Sequence, residues 1–155
     1  MFLGFRKCLG VVALAVTAAA LPAVSASAAA PADSARAFGR YCLSNTWGTP
    51  EVRTRWCDNE PGQRWEVRGD HIVMGADPRY CLSNTWGTPE VRTRPCGNEP
   101  GQRWEVRGDH IAMGADPRYC LANTWGTPEV RTRPCANEPG QRWAVWGDHI
   151  TLVDA

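Results

Sequence analysis

Lysine is almost missing from this chain. Lys7 is the only one, and every other cationic side chain is arginine. Net charge is missing too: 17 basic residues meet 16 acidic ones, and without Arg6 and Lys7 the remaining 15 arginines still face those 16 acids. So even a balance excludes the basic face that nucleic acid or an anionic membrane surface would need. Only one long apolar run occurs, from Leu9 to Leu21, leaving no later segment to hold the chain in a membrane. Long helices are also excluded, because 12 prolines and 15 glycines recur throughout. The three histidines, His71, His110 and His149, lie 39 residues apart, a spacing that fits no metal-ligand pattern, so neither a metal nor a cofactor is expected.

What is present begins with an export signal. Arg6 and Lys7 precede the apolar run, Pro22 breaks it, and Ala26-Ser27-Ala28 forms a small-residue cleavage site. Residues 1–28 therefore read as a signal peptide and 29–40 as a loose N-terminal arm. Six of the seven cysteines remain after that cut, an even number in a chain bound for an oxidising compartment. About 125 residues make one domain, small enough for covalent staples to matter.

Internal repetition dominates the rest. Residues 41–79 recur as 80–118 with three changes, in which Pro95 stands for Trp56, Gly97 for Asp58 and Ala112 for Val73. A third copy occupies 119–155 and diverges mainly in its last five residues. Each copy predicts four strands. Arg40 to Asn45 and Val52 to Cys57 flank a Thr-Trp-Gly-Thr-Pro-Glu turn. Gln63 to Arg68 alternates, with Gln63, Trp65 and Val67 on one face, and Asp70 to Met74 follows a Gly-Asp turn. Four strands in three copies suit a closed pseudo-threefold barrel of twelve strands, which leaves no edge exposed. Trp65, Trp104 and Trp143 would fill its centre, and Gln63, Gln102 and Gln141 would satisfy backbone groups where strands diverge.

Gln63-Arg64-Trp65, Gln102-Arg103-Trp104 and Gln141-Arg142-Trp143 match a QxW motif once per repeat, in register with a Tyr-Cys-Leu start and a second cysteine 15 positions on. Over about 115 residues the pattern resembles the ricin-B-type (QxW) lectin domains. The resemblance implies an all-β, β-trefoil fold for residues 41–155 and a carbohydrate-binding role. It also implies disulfides within repeats, Cys42–Cys57, Cys81–Cys96 and Cys120–Cys135, one of fifteen pairings that six cysteines allow.

In that family the sugar is held by an Asp soon after the first Cys, an aromatic residue two before the second, and an Asn before the QxW glutamine. The corresponding positions here hold Ser44, Ser83 and Ala122, then Arg55, Arg94 and Arg133, then Gly62, Gly101 and Gly140. Other groups recur nearby. Asn45 and Trp47, with Asn84 and Trp86, and Asn123 and Trp125, lie in the turn between the first two strands, where a tryptophan beside glycine can offer its face to a sugar. Asn59, Asn98 and Asn137 follow the second cysteine and could line the same pocket. The alternative is that Trp47 folds over the disulfide and packs. Glu51, Arg53 and Arg55 share one strand face, either as an anion-binding row that would suit an anionic glycan or as a solvated set of ion pairs. Arg68-Gly69-Asp70 and its copy could be an adhesion motif or simply turn chemistry.

Repetition also argues against catalysis, which needs different groups converging on one point. The expectation is a secreted, free-standing, monomeric binding module for a glycan or polysaccharide, with up to three equivalent pockets. The alternative is a protein-binding or inhibitory trefoil without sugar binding.

Overall fold

The computed structural model of the chain describes residues 40–153. The expected signal peptide, and the arm up to residue 39, lie outside them. Twelve short strands follow in order: β1 Tyr41–Asn45, β2 Val52–Trp56, β3 Trp65–Arg68, β4 His71–Met74, β5 Tyr80–Asn84, β6 Val91–Pro95, β7 Trp104–Arg107, β8 His110–Met113, β9 Tyr119–Asn123, β10 Val130–Pro134, β11 Trp143–Trp146 and β12 His149–Leu152.

The strands group across the repeat boundaries. Three antiparallel sheets run β3-β4-β5-β6, β7-β8-β9-β10 and β11-β12-β1-β2, each joining the second half of one repeat to the first half of the next. The last closes the ring, with Cys42 of β1 opposite Thr151 of β12. Two further cycles tie the sheets together. Isolated bridges Glu51↔Arg92, Glu90↔Arg131 and Arg53↔Glu129 link β2, β6 and β10. The amides of Trp65, Trp104 and Trp143 donate to the carbonyls of Asp148, Asp70 and Asp109, each at 2.7 Å. This is the expected pseudo-threefold β-trefoil, and no repeat buries its strands without its neighbours.

The QxW residues explain why the sequence closes this way. Trp65 and Trp143 are each 1% exposed and join Leu43, Leu82, Leu121, Ile72, Ile111 and Ile150 in the core. The indole nitrogens of Trp65, Trp104 and Trp143 donate to the carbonyls of Leu43, Leu82 and Leu121 at 2.8–2.9 Å, so burying these rings strands no polar atom. Gln63 donates to the Trp56 carbonyl at 2.7 Å and accepts from the Asp58 amide at 2.9 Å, and Gln102 and Gln141 repeat the pair. Disulfides join Cys42–Cys57, Cys81–Cys96 and Cys120–Cys135, within repeats as the family resemblance implied.

Two details differ from the expected alternation. Gln63 sits in a one-turn 3-10 element, Pro61–Gln63, ahead of the strand, because proline presets the backbone there and the glutamine amide must reach back to the β2 end. Val67 is exposed, unlike Trp65 two residues before it and although its register partner Ile72 is buried in the core.

Candidate functional site

The turn between the first two strands of each repeat is built to hold a tryptophan outward. In the first repeat the Thr46 amide donates to the Glu51 carbonyl and the Thr49 amide to the Thr46 carbonyl, both at 2.9 Å. The Thr49 hydroxyl adds a bond to the same Thr46 carbonyl at 2.8 Å. Gly48 supplies the positive φ that closes the turn. The Asn45 side chain locks it from beneath, its amide nitrogen donating to Thr49 O, Glu51 O and the Thr93 hydroxyl of the next repeat. Asn84 and Asn123 do the same, reaching Thr132 and Thr54.

Asn45, Asn84 and Asn123, expected to contact sugar, do line the clefts of the three tryptophans. They are buried, and their amide hydrogens already serve the turn and the inter-repeat threonine, so what they hold in place directly is the turn. The platform itself is open: Trp47, Trp86 and Trp125 are 62%, 60% and 63% exposed rather than folded over the disulfides.

Each of these tryptophans lines a cleft at a repeat junction. Trp47 shares about 360 Å³ with Thr49, Pro50, Met74, Asp77, Tyr80 and Thr93. Trp86 shares about 630 Å³ with Met113, Asp116, Tyr119 and the β10 residues Arg131 to Pro134. Trp125 shares about 450 Å³ with Tyr41, Thr54, Pro128 and Leu152. We call these the first, second and third clefts. The side chain of Arg79 grips Asp77 through bonds of 2.8 and 2.9 Å and holds its carboxyl below the usual carboxylate range; Arg118 does so for Asp116. Reading the repeats singly could not show Tyr80, Tyr119 or Tyr41 as partners of the tryptophans, because each cleft takes that side from the following repeat, while Asp77 and Asp116 come from the far end of the tryptophan's own repeat. The signal was present in the Asp-Pro-Arg-Tyr junction that recurs at 77–80 and 116–119.

The family's usual sugar position, inside a repeat, is built differently. Ser44 and Ser83 are fully buried, and Arg55 and Arg94 lean toward Glu60 and Glu99 at 3.4 and 3.9 Å. In the third repeat a hollow of about 240 Å³ remains, lined by Ala122, Trp125, Arg133 and Glu138 among others. A side chain at Gly62, Gly101 or Gly140 would run into the carbonyl oxygen of Asn45, Asn84 or Asn123, so the asparagine that the family carries there has no room. Replacing Gly101 with Ala should therefore cost about 1–3 kcal/mol in chemical denaturation, the usual penalty of overpacking. A neutral effect would mean that the Asn84 turn yields easily.

The remaining expected residues lie apart. Asn137 borders a separate hollow beside the Cys120–Cys135 disulfide with Arg107 and His110, away from Trp125. Asn59 and Asn98 are exposed in the equivalent loops, and Asn59 adopts a positive φ there. None of the three shares a cleft with the tryptophans, which corrects their expected grouping. The histidines act as clasps. His71 binds Asp70 at 2.7 Å and the Gly97 carbonyl of the next repeat at 2.8 Å, and His110 likewise binds Asp109 and Ala136. Among the described residues no cluster of potential metal ligands occurs. In the Arg68-Gly69-Asp70 turn, Arg68 pairs with Glu66 at 2.7 Å while Asp70 holds His71, so the motif serves the hairpin. The Glu51 strand face is one of ion pairs: Arg53 with Glu51, Arg92 with Glu90 and Arg131 with Glu129.

Comparison with known proteins agrees with this architecture. No curated protein matches the chain. A non-toxic homologue of type II RIPs from Momordica charantia (bitter gourd), solved with α-methyl-D-galactoside, superposes with a TM-score of 0.63 at 18% identity, over 71% of this chain and 45% of that one. The chain thus spans under half of that relative's length. The C-half of the earthworm R-type lectin, in complex with GalNAc, gives 0.56 at 17% identity, covering 72% of this chain and 95% of its own. The β-trefoil lectin of the Vibrio vulnificus hemolysin/cytolysin, with N-acetyl-D-lactosamine bound, gives 0.56 at 20%, covering 74% and 86%. These likenesses establish the fold. The sequence profile of the ricin-type β-trefoil lectin domain matches residues 34–143, with its three QxW motifs and three disulfides in place, and the chain belongs to that family.

Proposed function

We propose that this chain is an exported carbohydrate-binding protein without catalytic activity, and that each junction cleft takes one sugar unit against Trp47, Trp86 or Trp125. One observation carries the reading: three indoles about 60% exposed on rigid turns, each at the side of a cleft that also presents a tyrosine. Large apolar side chains held in water on a locked backbone mark a binding surface. A flat ring suits the apolar face of a pyranose, and tyrosine adds a hydroxyl for its polar edge. The three disulfides suit an oxidising compartment, in keeping with the signal peptide read at residues 1–28.

The ligand is read as a neutral glycan rather than an anionic one. Arg53, Arg92 and Arg131 already have carboxylate partners, as do Arg79 and Arg118, which leaves Arg133 of the second cleft as the arginine whose replacement by Gln tests the neutral reading. Retention should then respond weakly to salt, whereas an arginine–anion contact would fade as ionic strength rises. Three clefts on one monomer give avidity for a polymer, because the second contact is intramolecular.

The test is retention on immobilised polysaccharides, chosen from a glycan array. Trp47→Ala, Trp86→Ala and Trp125→Ala together should abolish retention while leaving the melting temperature within a few degrees, since these rings are mostly in water. A folded triple variant that binds normally would refute the site. A wild-type protein that ignores every glycan yet captures a protein would favour the inhibitory trefoil instead.

A further inference from the structure

The three junction clefts are near copies in sequence but not in chemistry. The first and second carry a carboxylate, Asp77 and Asp116, set against an exposed tryptophan and a tyrosine. Each Asp Oδ1 accepts from the backbone amide and the Nε of the following arginine, and Oδ2 accepts only from its Nη2. A carboxylate offers about four lone-pair sites, so Oδ2 keeps one for a ligand hydroxyl. Both carboxylates stay ionised at neutral pH, because hydrogen bonds from Arg79 and Arg118 hold them low.

The third cleft shows no carboxylate among its described residues. There Leu152 replaces Met74 and Met113. Aromatic surface takes over. Tyr41 packs on Trp56 with centroids 4.9 Å apart, and Trp56 is 59% exposed. In the other repeats its position is Pro95 and Pro134, opposite Tyr80 and Tyr119 in the strand register. Trp125, Tyr41 and Trp56 thus form a run of three rings that the first two clefts lack.

We propose, resting on the glycan reading above, that the clefts divide into two specificities. The first and second select a pyranose with a free hydroxyl group placed to donate to Oδ2 of Asp77 or Asp116. The third accepts rings by their apolar faces alone and tolerates sugars whose hydroxyls are capped. The whole protein therefore grips a polymer through two hydroxyl-reading contacts and one face-reading contact.

The experiment follows the eight indole N–H signals of the intact disulfide-bonded protein by NMR. The probes are methyl glycosides of glucose, mannose, galactose and N-acetylglucosamine, each also in fully O-methylated form. The free glycosides should move the Trp47 and Trp86 signals, and the O-methylated forms should move only Trp125 and Trp56. Asp77→Asn with Asp116→Asn keeps a turn-capping side chain at both sites but removes the charge. It should weaken the Trp47 and Trp86 responses at least tenfold and leave the Trp125 midpoint unchanged. Equal midpoints at all three junctions, unaltered in the Asn variant, would overturn the division while leaving the glycan reading intact. If no sugar moves any of these signals, the division and the glycan reading both fall.

Discussion

Full reduction of the three disulfides should unfold the protein at temperatures where the oxidised form is stable. Each bridge closes a loop of 15 residues, worth about 3 kcal/mol in the loop-entropy picture. A domain of this size holds only about 5–15 kcal/mol in total, so losing all three removes most or all of its margin. Cys42, Cys81 and Cys120 are buried on β1, β5 and β9, the strands that pair across repeat boundaries. Each staple therefore pins a strand on which closure of the ring depends. Removing one bridge, as Cys81→Ser with Cys96→Ser, should lower the melting temperature by roughly 10 °C or more in circular-dichroism melts. A reduced protein melting within a few degrees of the oxidised one would show that the core alone carries the fold.

Emptying a core tryptophan should be nearly as damaging. Trp65→Ala, Trp104→Ala or Trp143→Ala removes a ring at the pseudo-threefold centre, and such deletions typically cost about 3–5 kcal/mol. The same change leaves the carbonyl of Leu43, Leu82 or Leu121 without its indole donor inside the core, a loss beyond the cavity itself. Urea titrations should rank these variants far below Trp47→Ala, Trp86→Ala and Trp125→Ala, which remove rings that already face water. Similar stability in both sets would contradict the inside-outside assignment on which the site depends.

That assignment was legible in sequence only for one of the two tryptophan sets. Trp65 is announced by the glutamine two residues before it, since a buried amide must serve strand ends, and the structure bears this out in all three repeats. Twelve strands and their repeat order also follow from alternation and periodicity. Trp47 left two outcomes open, because a Trp-Gly turn reads alike whether the ring packs or projects. What decides it is the turn's own bonding, in which Asn45 reaches Thr93 across the repeat boundary. The structural bonds of Asn45 were hidden for that reason: its partner lies 48 residues away. Tyr80 was overlooked similarly, since a cleft shared by two repeats is invisible when each repeat is read as a unit. The glycines before the QxW glutamines signalled that the family's sugar position had changed, while the carbonyl filling that space became visible only in three dimensions.

The central claim is that sugar sits between repeats, on the exposed tryptophans, and not within a repeat where the family usually holds it. The most direct measurement is a crystal structure of the protein with the short oligosaccharide that best elutes it from its polysaccharide column. The account predicts sugar rings against Trp47, Trp86 and Trp125, in the clefts that Tyr80, Tyr119 and Tyr41 complete. Sugar lying instead over Ser44, Arg55 and Glu60, or over Ala122, Arg133 and Glu138, with the junction clefts empty, would contradict it.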